Sequence, residues 1–519
     1  MKPLLTAAVA AAALWAAACS SSGTTITPPP PSGNFSLASL NGSYAFTTSG
    51  EALTSGISTP LVRVGSFVAD GNGHITGGIE DVNVIGTPST AIAITGGSYS
   101  VNPDGRGTLT LSLGQSVIEF GIVLTSTSDG LMMDESVTSQ ASTGSGNFIL
   151  QQSTPFTLTE LSATYVFDFA GLDGAQPNPN PESFIGEFTV DGGAGTIPSG
   201  IFDDNDGGQL IGGAMNPGTI SQDPAQPSSF TSFGRGIATV AGQDFVFYIV
   251  DGSRIRFIST TNGMLVGDAL LQPTIPTSPS GGFAFLVAGA SANGGLIRVG
   301  RFTANSGALS NILMDVNDAS MHNQFNTLSN PTLSYDSATG RGQLSFQSSS
   351  TNVFSFIFYL SSSSNGVIQE VSGPNSSTAI VVADGSLLAQ SGSPFTSSNI
   401  TGPYTLNWSG LVTTGGGFQD EEDLAGQANV TNLNLNGTSD FFQFTTVTLN
   451  TDVGTGGTIT LNGNGTGDDG KRVSMTVNLS KTSPINMVVY VVSPQLAFFT
   501  NSDNNGAPRV VAGILKAQQ

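Results

Sequence analysis

Residues 62–84 read VRVGSFVADGNGHITGGIEDVNV, and this stretch decides the fold. Two runs of alternating, β-branched-rich residues, 62–69 and 74–84, flank Asp70-Gly71-Asn72-Gly73. Alternation with period two argues for strands rather than helices. Asp-Gly and Asn-Gly supply the positive φ angles that tight hairpins need. The same grammar extends on both sides. Residues 39–152 hold eight candidate strands, near 43–47, 62–69, 74–84, 91–101, 107–113, 117–124, 130–135 and 146–151.

This unit recurs. A small-residue segment leads to Tyr44, Tyr165, Phe283 and Tyr404, aromatics spaced 121, 118 and 121 residues apart. Each copy ends in Gly-x-x-x-x-Gln, at Gln151, Gln272, Gln390 and Gln518. The chain therefore divides into four copies at 39–152, 160–272, 280–390 and 399–519. Eight short strands joined mainly by tight turns would expose long sheet edges unless the sheet closes. The expected class is all-β: four tandem antiparallel up-and-down eight-stranded β-barrels, with β-sandwiches as the alternative. In a barrel the first strand pairs with the last. Gly42-Ser43-Tyr44 resembles the opening of lipocalin-like and avidin-like barrels, although the second copy has Ala163 in place of that glycine.

Ahead of the copies, residues 1–18 read as a signal peptide, with Lys2 before an apolar run too short to span a bilayer. Cys19, the only cysteine, follows small residues. The junction resembles a bacterial lipoprotein lipobox, with Ala16 where leucine is commonest. The resemblance implies a covalent lipid at Cys19 and a membrane anchor that does not span. Ser20 after the cysteine is similar to lipoproteins sorted to the outer membrane. That implies a cell-envelope location facing periplasm or exterior. Residues 19–38 form a tether whose Pro28 to Pro31 favours extended polyproline II. The units also resemble those of repetitive lipoproteins from soil bacteria: Tyr44-Ala45-Phe46, Asp70 to Ile75, Asp81-Val82-Asn83 and Asp104 to Gly107. No activity comes with that resemblance.

Composition limits the function. Charged residues are 10% of the chain against roughly 25% in average proteins, so Ser, Thr, Asn and Gly carry solubility. Net charge is −22, and the largest basic cluster is Lys471-Arg472; nucleic acid is excluded as a partner because it demands a positive footprint. His74 and His322 are the only histidines and occupy non-equivalent positions. A Ser-His-Asp triad or a His-based metal site would need a coincidence between copies. Carboxylates alone can hydrolyse glycosides, but sugar clefts usually carry aromatic platforms and the tryptophans number two, Trp15 and Trp408.

The sharpest repeated constellation lies in the third strand. Asp81 and Asn83 follow Ile79 at alternate positions, as Asp203 and Asn205 follow Ile201, and Asp315 and Asn317 follow Leu313. If the aliphatic residue points inward, so do the polar ones. A buried carboxylate needs a partner, and each of these copies carries a Gly-Arg-Gly turn. The expected pairs are Asp81 with Arg106, Asp203 with Arg235, and Asp315 with Arg341. They plug the barrel, form a ligand site at its mouth, or simply face water. The fourth copy has Lys471 and Arg472 in that turn but no clear Asp-x-Asn. Asp203-Asp204-Asn205-Asp206-Gly207 resembles a calcium loop but lacks its downstream glutamate, so calcium competes there with a polar hairpin turn. Asp420-Glu421-Glu422-Asp423 reads as a solvated loop.

The sequence thus points to a non-catalytic, lipid-anchored envelope lipoprotein, a rod-like array serving structure or adhesion. Beyond the covalent lipid no cofactor is expected, and the partner would be an envelope protein or a glycan. One alternative is small-molecule or glycan binding inside hollow barrels; a second is a carboxylate hydrolase.

Overall fold

The computed structural model describes residues 33–519 apart from 55–56, 138–140, 176–177, 320, 350–351, 372–380, 393–394, 397–398, 414–418, 444–447, 462–470, 481–482 and 504–508. The leader, Cys19 and most of the tether lie outside the described residues. The four copies are antiparallel β-barrels in tandem.

Barrel 1 is built from β1 (Asn41–Thr54), β2 (Ile57–Asp70), β3 (His74–Val84), β4 (Thr87–Ile94), β5 (Gly96–Tyr99), β6 (Arg106–Leu113), β7 (Ser116–Leu124), β8 (Asp129–Asp134) and β9 (Ser142–Leu150). Eight of these close in sequence order, β1 pairing with both β2 and β9. The ninth, β4, folds back on β3 as a flap outside the barrel wall. The single strand expected over 91–101 is therefore two, broken at Thr95: its first part ends the flap β4 and its second is the wall strand β5, while Ile85 and Gly86, at φ 42° and 78°, turn the chain from β3 into the flap. Two positive φ values in a two-residue loop suit a tight hairpin, and isoleucine at such a position hides the turn. The hairpin at 70–73 forms as expected, with the Asp70 carboxylate accepting from the backbone N–H of Asn72 (2.7 Å) and His74 (3.1 Å).

The second barrel repeats this plan, with a flap at Gln209–Ala214 and a short helix, Pro227–Phe233. In the third, Ala308–Asp318 and Ser329–Tyr335 form no ladder, so the barrel is half-closed. The fourth closes with eight strands, one long strand, Thr448–Leu461, replacing flap and barrel strand.

Inward-facing aromatics fill the interiors. In barrel 1 Tyr44, Phe46, Phe67, Phe120 and Phe148 contact one another at ring-centroid distances of 5.6–6.3 Å. Barrel 2 packs Phe167, Phe169, Phe184, Phe188, Phe245 and Phe257 together. Trp408 meets Phe441 and Phe499 edge-on in barrel 4. Offset and edge-to-face pairs add roughly 0.5–1.5 kcal/mol each beyond burial.

The barrels form a closed ring, not a rod. Apolar seams join barrel 1 to 2 (Val62, Val64, Tyr248, Ile258), 2 to 3 (Val166, Ile185, Tyr359, Val367) and 3 to 4 (Val299, Val488, Tyr490, Phe498). A fourth seam joins 4 back to 1 through Met133, Ala141, Ala425 and Phe442. Strands with an apolar outer stripe as well as an apolar inner face cannot stay solvated singly, and closing the ring leaves no seam unmatched.

Candidate functional site

The Asp-x-Asn constellation does not face the barrel interior. In barrel 1 the β2–β3 ladder runs Val68↔Gly77 and then Ala69↔Ile75, leaving Thr76 as an extra residue. Such a bulge reverses the parity of alternation beyond it. Ile75 therefore points into the core. Ile79 joins the seam against barrel 2 instead, and Asp81 and Asn83 point the same way. Register shifts at Thr189/Asp191 and Arg301/Thr303 do the same in barrels 2 and 3.

The pairing expected within each copy is displaced by one copy. Arg235 of barrel 2 grips Asp81 of barrel 1 with Nε and Nη2, both at 2.8 Å, and Tyr248 Oη donates to the same carboxylate at 2.5 Å. Arg341 holds Asp203 at 2.7 Å twice, with Tyr359 at 2.6 Å. Arg472 holds Asp315 at 2.7 and 2.8 Å, with Tyr490 at 2.6 Å and His322 Nε2 at 2.8 Å. Burial pushes the Asp315 carboxyl up, but the hydrogen bonds from Arg472, His322 and Tyr490 outweigh it and hold it below the usual range. The asparagines follow the same rule. Asn83 donates to Ser259 and Gly263, Asn205 to Glu370 and Val381, and Asn317 to Asn501 and Arg509, each time on backbone carbonyls of the next barrel.

The repeated terminal glutamines are the other half of this joint. Gln151 Nε2 donates to the Ile249 carbonyl, Gln272 to Leu360, Gln390 to Val491 and, closing the ring, Gln518 to Leu124 of barrel 1. The sequence displayed these glutamines plainly, but a repeat spacing does not say what a residue touches.

The closing seam departs from the other three. Asp440, opposite Ala425, occupies the ladder position that Asp81 holds opposite Val64. Arg106 does not reach Asp81; it pairs with Asp104 at 3.1 Å and with Asp452 of barrel 4 at 2.7 Å. Val123 stands where the other copies have tyrosine, facing Arg106 across the β6–β7 ladder. Phe442 stands where they have asparagine. Carboxylates crowd this seam. Residues 421–423, expected in a solvated loop, lie in the strand Gln419–Thr431 and are buried. Glu422 is held by Arg509 at 2.5 and 2.9 Å. Asp423 accepts from Thr143 and, at 2.8 Å, from Ser145, yet burial pushes it up to about 7. Burial, then Asp440, raises Glu135 to about 9, and burial with Asp423 lifts Glu421 far above its ordinary value.

Asp203, Asp204, Asn205 and Asp206 belong to the strand Thr196–Asp206, neither a calcium loop nor a turn. Neighbouring side chains on a strand point to opposite faces, so these four cannot converge on one ion. Among the described residues no group of three His, Cys, Asp or Glu is placed to hold a metal ion.

The mouth of barrel 1 is open. A cavity of 530 Å³ lies at the mouth of barrel 1. Its walls include Leu61, Val82, Val84, Ile92, Leu113 and Ile118, its rim Leu53 and Val117, and its polar floor Arg63 and Glu80. Arg63 Nη1 donates to Glu80 Oε1 at 3.3 Å, and Asp134 lies 3.8 Å from Arg63 Nε. Glu80 is fully buried, and its Oε2 has no hydrogen-bond partner among the described residues. The sequence does not reveal this site, because alternation with Ile79 and Asp81 inward puts Glu80 on the outer face.

No family model matches the chain, and no curated protein matches it. Among solved structures it is similar to a double mutant of transferrin binding protein B from Haemophilus parasuis Hp5, at 10% identity and TM-score 0.21, covering 96% of this chain and 99% of that chain. It is also similar to isotype 1 transferrin binding protein B from serogroup B Neisseria meningitidis, at 9% identity and TM-score 0.19, covering 73% of this chain and 79% of that chain. A likeness this distant assigns neither family nor partner.

Proposed function

We propose that the chain is a non-catalytic envelope lipoprotein, anchored through lipid at Cys19, whose four barrels act as one rigid platform for an envelope protein or glycan. The observation that carries this reading is the placement of the repeated polar residues. Asp81, Asp203, Asp315, their asparagines and the terminal glutamines are all engaged in barrel-to-barrel joints. They orient rigid bodies against one another rather than line a reaction site. A preorganised ring presents its outer surface without an ordering cost at each encounter. The lipobox-like leader and the proline-rich tether support an envelope location, with the ring held off the lipid surface.

The test is made in the exporting host. Cells carrying the wild-type chain or Cys19→Ser are cross-linked, fractionated and probed for adducts. The wild type is expected with the membranes and in a discrete adduct; Cys19→Ser is expected in the soluble fraction. Retention of Cys19→Ser on membranes would sink the anchoring, and absence of any adduct would sink the platform.

A further inference from the structure

Barrel 1 leaves open a space that the other barrels fill. Thr48 stands opposite Arg63 on the β1–β2 ladder. The same ladder position holds Phe169 opposite Phe184 in barrel 2, Val287 opposite Arg298 in barrel 3 and Trp408 opposite Leu424 in barrel 4. Phe184 packs on both Phe169 and Phe202, at ring-centroid distances of 6.1 and 5.3 Å. Trp408 meets Phe441. Arg298 is engaged within its barrel, bonded to Glu370 and lying 4.9 Å over the ring of Phe354. In barrel 1 the pair is a threonine and an arginine, and the space that aromatic rings fill elsewhere is the 530 Å³ cavity.

We infer that this mouth binds a small uncharged molecule with an apolar body and a carbonyl oxygen, the oxygen accepting from Arg63 Nη2 and the body packing on Leu61, Val84, Leu113 and Val117. The volume falls in the range of about 300–1,000 Å³ usual for small-molecule sites. Leu53 and Val117, at 37% and 48% exposed, leave the rim open to solvent with an apolar lip. The charged group that faces the space is the guanidinium: the Arg63 side chain is 12% accessible, against 0% for Glu80 and 1% for Asp134. A guanidinium carries five N–H donors. Nη1 uses one on Glu80 at 3.3 Å, Nε lies buried without an acceptor, and Nη2 makes no hydrogen bond among the described residues. A donor left unpaired among apolar walls is costly, and an acceptor satisfies it. Charge selects the kind of acceptor. Glu80 and Asp134 already flank this one cation. An anionic ligand would therefore add a third negative charge, and a cationic one would meet the arginine. A neutral carbonyl oxygen takes the N–H without either cost. This inference stands independently of the platform reading.

Methyl hexanoate, hexanoate and hexylamine are titrated calorimetrically into the full chain at pH 8 and 150 mM salt, where Glu80, pushed up to about 7 by burial, is ionised. The ester is expected to bind at least tenfold more tightly than either ion. Arg63→Met combined with Glu80→Gln removes the donor without stranding the carboxylate it pairs with, and should weaken the ester tenfold or more. Val117→Trp, at a half-exposed rim position that the core does not use, should do the same. It keeps the test decisive if the double variant does not fold. Hexanoate or hexylamine binding as well as the ester, ester binding unmoved by either variant, or no ester binding at millimolar concentration would each overturn the inference.

Discussion

Asp315 shows what a single residue does in this ring. Its carboxylate, fully buried, receives Arg472, Tyr490 and His322. A buried ion pair adds little over an apolar pair of the same volume, but removing one partner strands the other. Asp315→Ala should therefore cost about 3–5 kcal/mol in urea unfolding of the full chain, and adding Arg472→Met should recover more than half of it. Asp452, the exposed partner of Arg106, is 71% accessible. Asp452→Ala should cost under about 1 kcal/mol, because exposed pairs are screened and lose side-chain entropy. Equal losses at the two sites would contradict this account of the seams. The residues of the joint were legible in the sequence as a repeated set. Their partners were not, since every copy offers an arginine in the same turn.

The β3–β4 hairpin ties an element to its neighbouring barrel. Gly86 has φ 78°, and a Cβ there would sit 2.1 Å from the carbonyl oxygen of Asn262 in barrel 2. Gly86→Ala must strain the turn and push the flap off barrel 2 together. Gly114 makes the control: φ is 72° and nothing lies within 4 Å of its added Cβ. Gly114→Ala should cost about 1–2 kcal/mol for the left-handed backbone alone. Gly86→Ala should cost clearly more and speed hydrogen exchange on both sides of the 1–2 seam. Equal costs would mean that the flap does not brace the joint. The sequence hid this element because isoleucine and glycine between polar strands do not announce a turn.

The ring as a whole should be sensitive to alkali at its closing seam. Glu135 and Asp423 hold their protons in the fold up to about 9 and about 7, above the values near 4 of an unfolded chain. Stability from such groups is complete below the unfolded pKa and is lost as pH rises through the folded one. The melting temperature should therefore fall between pH 5 and pH 9, with proteolysis first appearing where barrels 1 and 4 meet. Asp315, held low, works oppositely, and its contribution fades only in acid. A melting temperature that rises from pH 5 to pH 9 would refute the protonated seam.

What the sequence determined by itself was local and repetitive. Alternation, Asp-Gly and Asn-Gly turns and a recurring unit near 120 residues specify strands, hairpins and four copies, because each depends on neighbours along the chain. The tertiary structure decided which face was inside and which copy met which. One extra residue at Thr76 reverses the alternation and sends Asp81 outward while Glu80 turns in. A bulge depends on the partner strand, so no pattern within β3 reveals it. The ring arises for the same reason at larger scale. The sequence offers Asp81 an arginine in its own copy and another in the next, and the packing of apolar outer stripes selects the next one.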